Sequence, residues 1–247
     1  MTDPGKEPAP VLVWSKDRRT PRRQAPSVEQ IVHTAIRIAD AEGLSALSMR
    51  RVAADLGSGT ASLYRYVASR DDLLDLMIDT VQGEAGPPPL SGDWRADLSE
   101  VARHVRATML RHPWLGSELA GRPALGANSL RRYDVALTTA TALTPDITLA
   151  ANVVDTVLAY VFGTVARELA DEQARRRSGL TEDQWRDSVA PYIRDVIASG
   201  AYPQFARLVL DAEDTGPDQR FDFGLACVLD GVAARVGGTG SAGLAHS

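Results

Sequence analysis

Residues Ser48 to Arg70, SMRRVAADLGSGTASLYRYVASR, constrain what this chain can fold into more than any other stretch. Met49, Val52, Ala53 and Leu56 recur at helical spacing and predict a short helix with one apolar face. Gly57 ends that helix, because glycine enters the left-handed conformation without steric cost. Ser58, Gly59 and Thr60 make a tight turn into a second helix, which buries Leu63 and Val67. Thr60, Ala61, Ser62, Tyr64, Arg65 and Tyr66 are left on its other side, with Ser48, Arg50 and Arg70 at the flanks. Small and hydroxyl-bearing residues at a helix start let the backbone approach phosphates and base edges, and an arginine beyond them can fork onto guanine. This face is the expected DNA-binding surface.

The charge pattern supports that surface although the total does not. The chain carries a net charge of −5, which alone argues against nucleic acid. Between Trp14 and Arg70, however, ten lysines and arginines stand against five carboxylates. The acidic excess lies elsewhere, so a basic module sits on an acidic body. Residues 1–26 are proline-rich and charged and are expected to be a disordered arm. The run KDRRTPRR within it brings Arg18, Arg19, Arg22 and Arg23 up to the first helix, where they can reach phosphates or the minor groove or remain a solvated tail.

Helical periodicity continues to the end of the chain. Ser27 and Gln30 form a capping box ahead of the stripe Val28, Ile31, Val32, Ala35, Ile38 and Ala39, which Gly43 closes. Ser69 caps a fourth helix with Leu73, Leu74, Met77, Ile78 and Val81 on its apolar face. Three consecutive prolines mark residues 83–92 as a linker. Beyond it, helices are expected from Trp94 to His112, Asn128 to Leu143, Ile147 to Ala170, after the Thr181–Gln184 capping box, and from Phe221 to Val236. No alternating strand pattern and no internal repeat is visible. The Ile147–Ala170 segment approaches the length of a membrane span, but Asn152, Asp155, Thr156, Arg167 and Glu168 fit a helix buried in a bundle or subunit interface better.

The string AEGLSALSMRRVAADLG followed by SLYRYVASRDDLLDLM resembles the DNA-binding head of the tetracycline-repressor (TetR) family of bacterial regulators. RHPWL at Arg111–Leu115 and FDFGLACVLDGV at Phe221–Val232 resemble, more faintly, the C-terminal domain of its tetracycline-repressor-like branch. The resemblance implies an all-α protein with a three-helix helix-turn-helix head at residues 27–82. A helical ligand-binding and dimerisation bundle would occupy residues 93–238. It further implies a homodimer on a palindromic operator, released when a small, largely apolar effector enters the bundle. In one place the chain departs from the tetracycline repressors. They bring a histidine to a magnesium–drug chelate just before a Gly-x-Arg-Pro-like turn, whereas SELAGRPAL here places Glu118 near that point. Neither magnesium nor tetracycline is therefore carried over, and no cofactor is expected.

Effector contacts are sought among His104, Met109, His112, Trp114, Tyr133, Tyr160, Phe162, Trp185 and Tyr192, since pockets are mostly apolar with a few polar groups. The dimer interface is sought on the stripe Leu225, Val228, Leu229 and Val232, which is interleaved with small residues. Enzyme chemistry finds no footing. GSGTAS lacks a P-loop lysine, the four histidines form no HExxH pair, and no Gly-x-Ser-x-Gly elbow occurs. The single cysteine, Cys227, fits a reducing cytoplasm, and the N-terminal stretch does not look like a secretory signal. The alternatives are an activator, an orphan regulator that answers to a protein partner, and an α-helical enzyme with a vestigial head.

Overall fold

The computed structural model describes residues 13–15, 26–121 and 124–242. Eleven α-helices and no strand occur among them. Two compact units divide the chain, Met1–Val154 and Asp155–Ser247.

The first unit begins with α1 (Val28–Glu42), α2 (Met49–Asp55), α3 (Thr60–Leu63) and α4 (Arg70–Gly83). Each boundary has a local cause. The Ser27 hydroxyl accepts from the Gln30 N–H at 3.1 Å while the Gln30 side chain accepts from the Ser27 N–H at 2.9 Å. Gly43 closes α1 at φ +81° and Gly57 closes the second helix at φ +60°, conformations that a side chain would strain. Ser48 and Ser69 cap α2 and α4 by accepting from the N–H groups of Arg51 and Asp72. Helix α3 is one turn long, shorter than the sequence suggests, yet Leu63 and Val67 are fully buried as expected.

Helix α4 packs against α1 on one side and α7 (Ala127–Thr141) on the other, and α5 (Trp94–Arg111) packs on α7. Between α5 and α7 lies the short α6 (Leu115–Gly121). The helices on either side of residues 83–92 thus pack within one compact unit. The joint between α4 and α7 is polar. Asp79 of α4 is buried, and its Oδ1 accepts the N–H groups of Asn128 and Ser129, both at 2.9 Å. Gly126, at the start of α7, offers no capping side chain, so a carboxylate from another helix caps α7. A Cβ on Gly126 would fall 2.2 Å from the Asp79 carboxyl carbon, so the two residues fit only as a pair.

A second feature differs from expectation at the N-terminus. Val13–Ser15 form a 3-10 turn that packs on α4, with Val13 buried. This part of residues 1–26 contributes to the core.

Helix α8 (Ile147–Ser178) runs eight residues beyond the expected Ala170, with Glu172 paired to Arg175 and Arg176 on the added turns. It is long and apolar enough to cross a membrane. Its Val153, Val157, Val161 and Val165, four apart, are buried within the chain, the pattern of a core helix. The second unit adds α9 (Glu182–Ala198), α10 (Pro203–Asp211) and α11 (Pro217–Ala242). The Thr181–Gln184 capping box forms, while α10 has no counterpart among the helices expected from the sequence. The Tyr160 hydroxyl of α8 donates to the Phe221 carbonyl at 2.8 Å. A Cβ on Gly224 would lie 2.4 Å from that hydroxyl, so this small residue makes room for the chain's own tyrosine.

Asp79→Ala removes a buried carboxylate and orphans two helix N–H groups, and is expected to cost about 2–3 kcal/mol of stability. Urea unfolding of the variant beside wild type measures it.

Candidate nucleic-acid interface and ligand core

Most of the side chains assigned to DNA from the sequence lie at the surface around α2 and α3. Ser48, Arg50, Ala61, Tyr64, Arg65 and Arg70 are exposed; Thr60, Ser62 and Tyr66 are partly so. Ser48 also commits its hydroxyl to the α2 cap. The arginines divide into two classes. Arg51 donates to both Glu42 oxygens and to Asp55, and Arg37 also donates to Asp55. The Asp55 carboxyl is held below its usual range by these hydrogen bonds, Arg37's first and Arg51's second. These two cations are committed to the protein. Arg50 makes no such contact among the described residues, Arg65 only touches the Ser62 hydroxyl at 3.2 Å, and Arg70 donates to the Leu44 carbonyl at 3.2 Å. Free charge is therefore concentrated at Arg50 and Arg65. Arg18, Arg19, Arg22 and Arg23 lie outside the described residues.

The effector candidates fall into different settings. His112 and Trp114 are buried in a latch on the first helix: Trp114 Nε1 donates to Asp40 at 2.7 Å, and the His112 ring nitrogens lie 2.9 Å from Asp40 and 3.2 Å from Glu84. The latch ties α1, the end of α4 and the α5–α6 turn together. Met109 is buried on α5, and His104 on the same helix has its Nε2 fully enclosed. Tyr133 lines a shallow outer groove of α7 with Leu130 and Leu137. Tyr160 is bonded to Phe221, and Phe162 is half-buried. Trp185 and Tyr192 on α9 are exposed.

The expected dimer stripe lies largely against its own chain. Leu225, Leu229 and Val232 are only 2%, 1% and 9% exposed in the single chain, so they have almost no surface left for a partner. Of the four, only Val228 is partly exposed. A stripe that packs on its own chain has the same periodicity as one that packs on a second copy. The outward face of α11 carries Phe223, 74% exposed, with Cys227, Asp230 and Ala234 at helical spacing.

Asp40, Asp79, Glu84 and Arg132 are structurally prominent residues that the sequence did not single out. Asp79's partners lie 49 and 50 residues away, beyond any local pattern. Arg132 did leave a signal: Ser129, Ala136 and Thr139 are buried on α7, and helical spacing puts Arg132 on the same face.

Residues 31–77 match the family model for bacterial regulatory proteins of the tetR family, and residues 86–236 match that for the tetracyclin repressor-like C-terminal domain. The chain belongs to the TetR family. It is similar to the transcriptional repressor DrrR1 of Streptomyces coeruleorubidus, 42% identical over 234 residues that cover 91% of this chain and 84% of the relative. Apo ActR from Streptomyces coelicolor superposes with a TM-score of 0.70 at 31% identity, covering 87% of this chain and 98% of that one. ActR in complex with actinorhodin gives 0.70 at 33% identity, covering 85% and 96%. As a TetR-family member this protein is a DNA-binding transcriptional regulator rather than an enzyme.

Within this TetR head, Arg65→Ala is expected to weaken binding to the cognate site by about 1–3 kcal/mol and relax discrimination at one base pair. Fluorescence anisotropy on cognate and random duplexes separates this from a phosphate contact, which would weaken both equally. Arg51→Ala should leave the discrimination unchanged, because its guanidinium serves Glu42 and Asp55.

Proposed function

We propose that this protein is a ligand-responsive repressor that binds a palindromic operator as a homodimer and leaves it when a small, largely apolar molecule occupies the α5–α7 layer. The observation that carries the reading is the double attachment of α4 and its neighbours. Asp79 fastens α4 to α7, and Asp40 with Glu84 fastens the head to the α5–α6 turn. A molecule that displaces α5 or α7 must therefore displace α4, and α4 follows directly on the α2–α3 DNA face. Two heads reading successive major grooves must stay about 34–36 Å apart, so a modest shift of α4 suffices for release. The ligand need only favour one head spacing over the other. ActR, crystallised with actinorhodin, supports an effector role for the C-terminal domain by similarity. A gel shift on DNA from the chain's own upstream region, with and without small aromatic molecules, tests the whole reading. Retention of the operator whatever is added would favour a regulator that answers to a protein partner.

Two measurements refine it. Replacing Arg18, Arg19, Arg22 and Arg23 with glutamine keeps the Val13 anchor and removes charge alone. If these side chains neutralise phosphates, operator affinity in the variant depends less steeply on salt, by about 0.9 in log–log slope for each phosphate no longer neutralised. An unchanged slope makes the segment a solvated tail. For the dimer, the outward face of α11 is the proposed surface, since a palindrome requires a two-fold partner. Phe223→Arg should sediment as a monomer with weak operator binding, and an intact dimer would place the interface elsewhere.

A further inference from the structure

Two part-buried polar groups of the first unit are left with unused hydrogen-bonding capacity by the protein itself. Arg132 on α7 uses one nitrogen only: Nη1 donates to the Gln82 carbonyl at 3.3 Å and to the Thr108 hydroxyl at 3.4 Å. No carboxylate pairs with it among the described residues, and burial pulls its guanidinium down to about 10. Beside it on α5, one turn before Thr108, His104 Nε2 is enclosed without a hydrogen-bond partner. The imidazole is lowered first by burial and then by the Arg132 charge, with Glu100 opposing and Arg111 adding to the fall, so it is neutral at pH 7. Thr108 has no proton left for His104 Nε2, since its hydroxyl donates to the His104 carbonyl at 2.9 Å.

Buried ring nitrogens are ordinarily bonded, because each unsatisfied group opposes folding, and His104 Nε2 is such an atom. Beside it, the part-buried Arg132 guanidinium keeps N–H donors that no protein group among the described residues uses. A guanidinium offers a planar fork of N–H donors that fits two oxygens of a carboxylate, or one ionised phenol oxygen. A neutral imidazole nitrogen can donate to, or accept from, a neighbouring hydroxyl or carbonyl.

We propose that Arg132 and His104 form an anion-recognising subsite, which selects effectors carrying an acidic oxygen and an adjacent hydroxyl or carbonyl on an apolar body. The proposal rests on the ligand-responsive reading above and narrows its chemical class. Arg132 neutralises the acid, and His104 reads the neighbouring polar group.

Isothermal titration of the full-length protein tests it with 1-naphthoate, 1-hydroxy-2-naphthoate and the carboxamide of each. Wild type is expected to bind each acid at least tenfold more tightly than its amide, and Arg132→Gln to abolish that difference. His104→Leu is expected to erase the preference for 1-hydroxy-2-naphthoate over 1-naphthoate while the acid-over-amide difference persists. Equal binding of acids and amides by wild type overturns the subsite, as does a difference that survives in Arg132→Gln. Should that variant not fold, Arg132→Lys retains the charge without the fork, and at least a fivefold loss of acid affinity is expected; an unchanged affinity overturns the paired geometry. Operator release by the neutral amides, equal in wild type and variant, overturns the subsite and leaves the ligand-responsive reading intact. Acid binding that leaves operator affinity unchanged upholds the subsite and counts against that reading.

Discussion

Asp79 sits where the N-terminus of α7 would otherwise carry bare N–H groups, and the organisation of the first unit follows from that placement. A capping side chain within α7 would have left α4 and α7 joined by apolar contact and by the bonds of Asn128 and Arg132 to the Asp79 and Gln82 carbonyls. Capping from α4 makes the register between them discrete: the carboxylate either meets the Asn128 and Ser129 N–H groups or does not. Gly126 is the matching half, since any side chain there would occupy the volume of the carboxylate. The Asp40 latch with His112 and Trp114 does the same for α1 and the α5–α6 turn. Directional contacts of this kind suit a two-state element better than a continuous apolar seam, because interfaces that repack in steps convert small displacements into defined alternatives.

The head divides its charge in a comparable way. Its basic residues are not all available to DNA. Arg37 and Arg51 are held against Asp55 and Glu42, where they brace α1 against α2, and Arg70 steadies the loop after α1 through Leu44. Arg50 and Arg65 are left to carry the free positive charge among the described residues of that surface. A count of positive residues along the sequence overstates the electrostatic footprint, and the difference is visible only once the pairs are in place.

Local chemistry is legible in the sequence because its causes are local. Ser27 with Gln30, Thr181 with Gln184, and Gly57 each act within a few residues, and each marks the helix boundary that they imply. The buried face of α2–α3 is legible for the same reason, since Val52, Leu63 and Val67 obey helical spacing. Partner identity is not legible. Leu225 and Leu229 form an apolar stripe whether the surface they meet belongs to the same chain or another. Asp79 and Asp40 look like ordinary surface acids in sequence, because the groups that bond them are 49 or more residues distant. Helix α10 begins at Pro203 after a short turn and is hidden between two stronger patterns.

The central claim is that the α2–α3 face and the α5–α7 layer are coupled through α4. Coupling between two sites is reciprocal, so operator binding must be felt in the layer proposed to hold the effector. Hydrogen–deuterium exchange with and without operator duplex reads this at the Asn128 and Ser129 amides, which Asp79 holds. The account predicts that exchange there changes on DNA binding together with that of α4. Changes confined to residues 27–70, with the α7 amides unmoved, would contradict it.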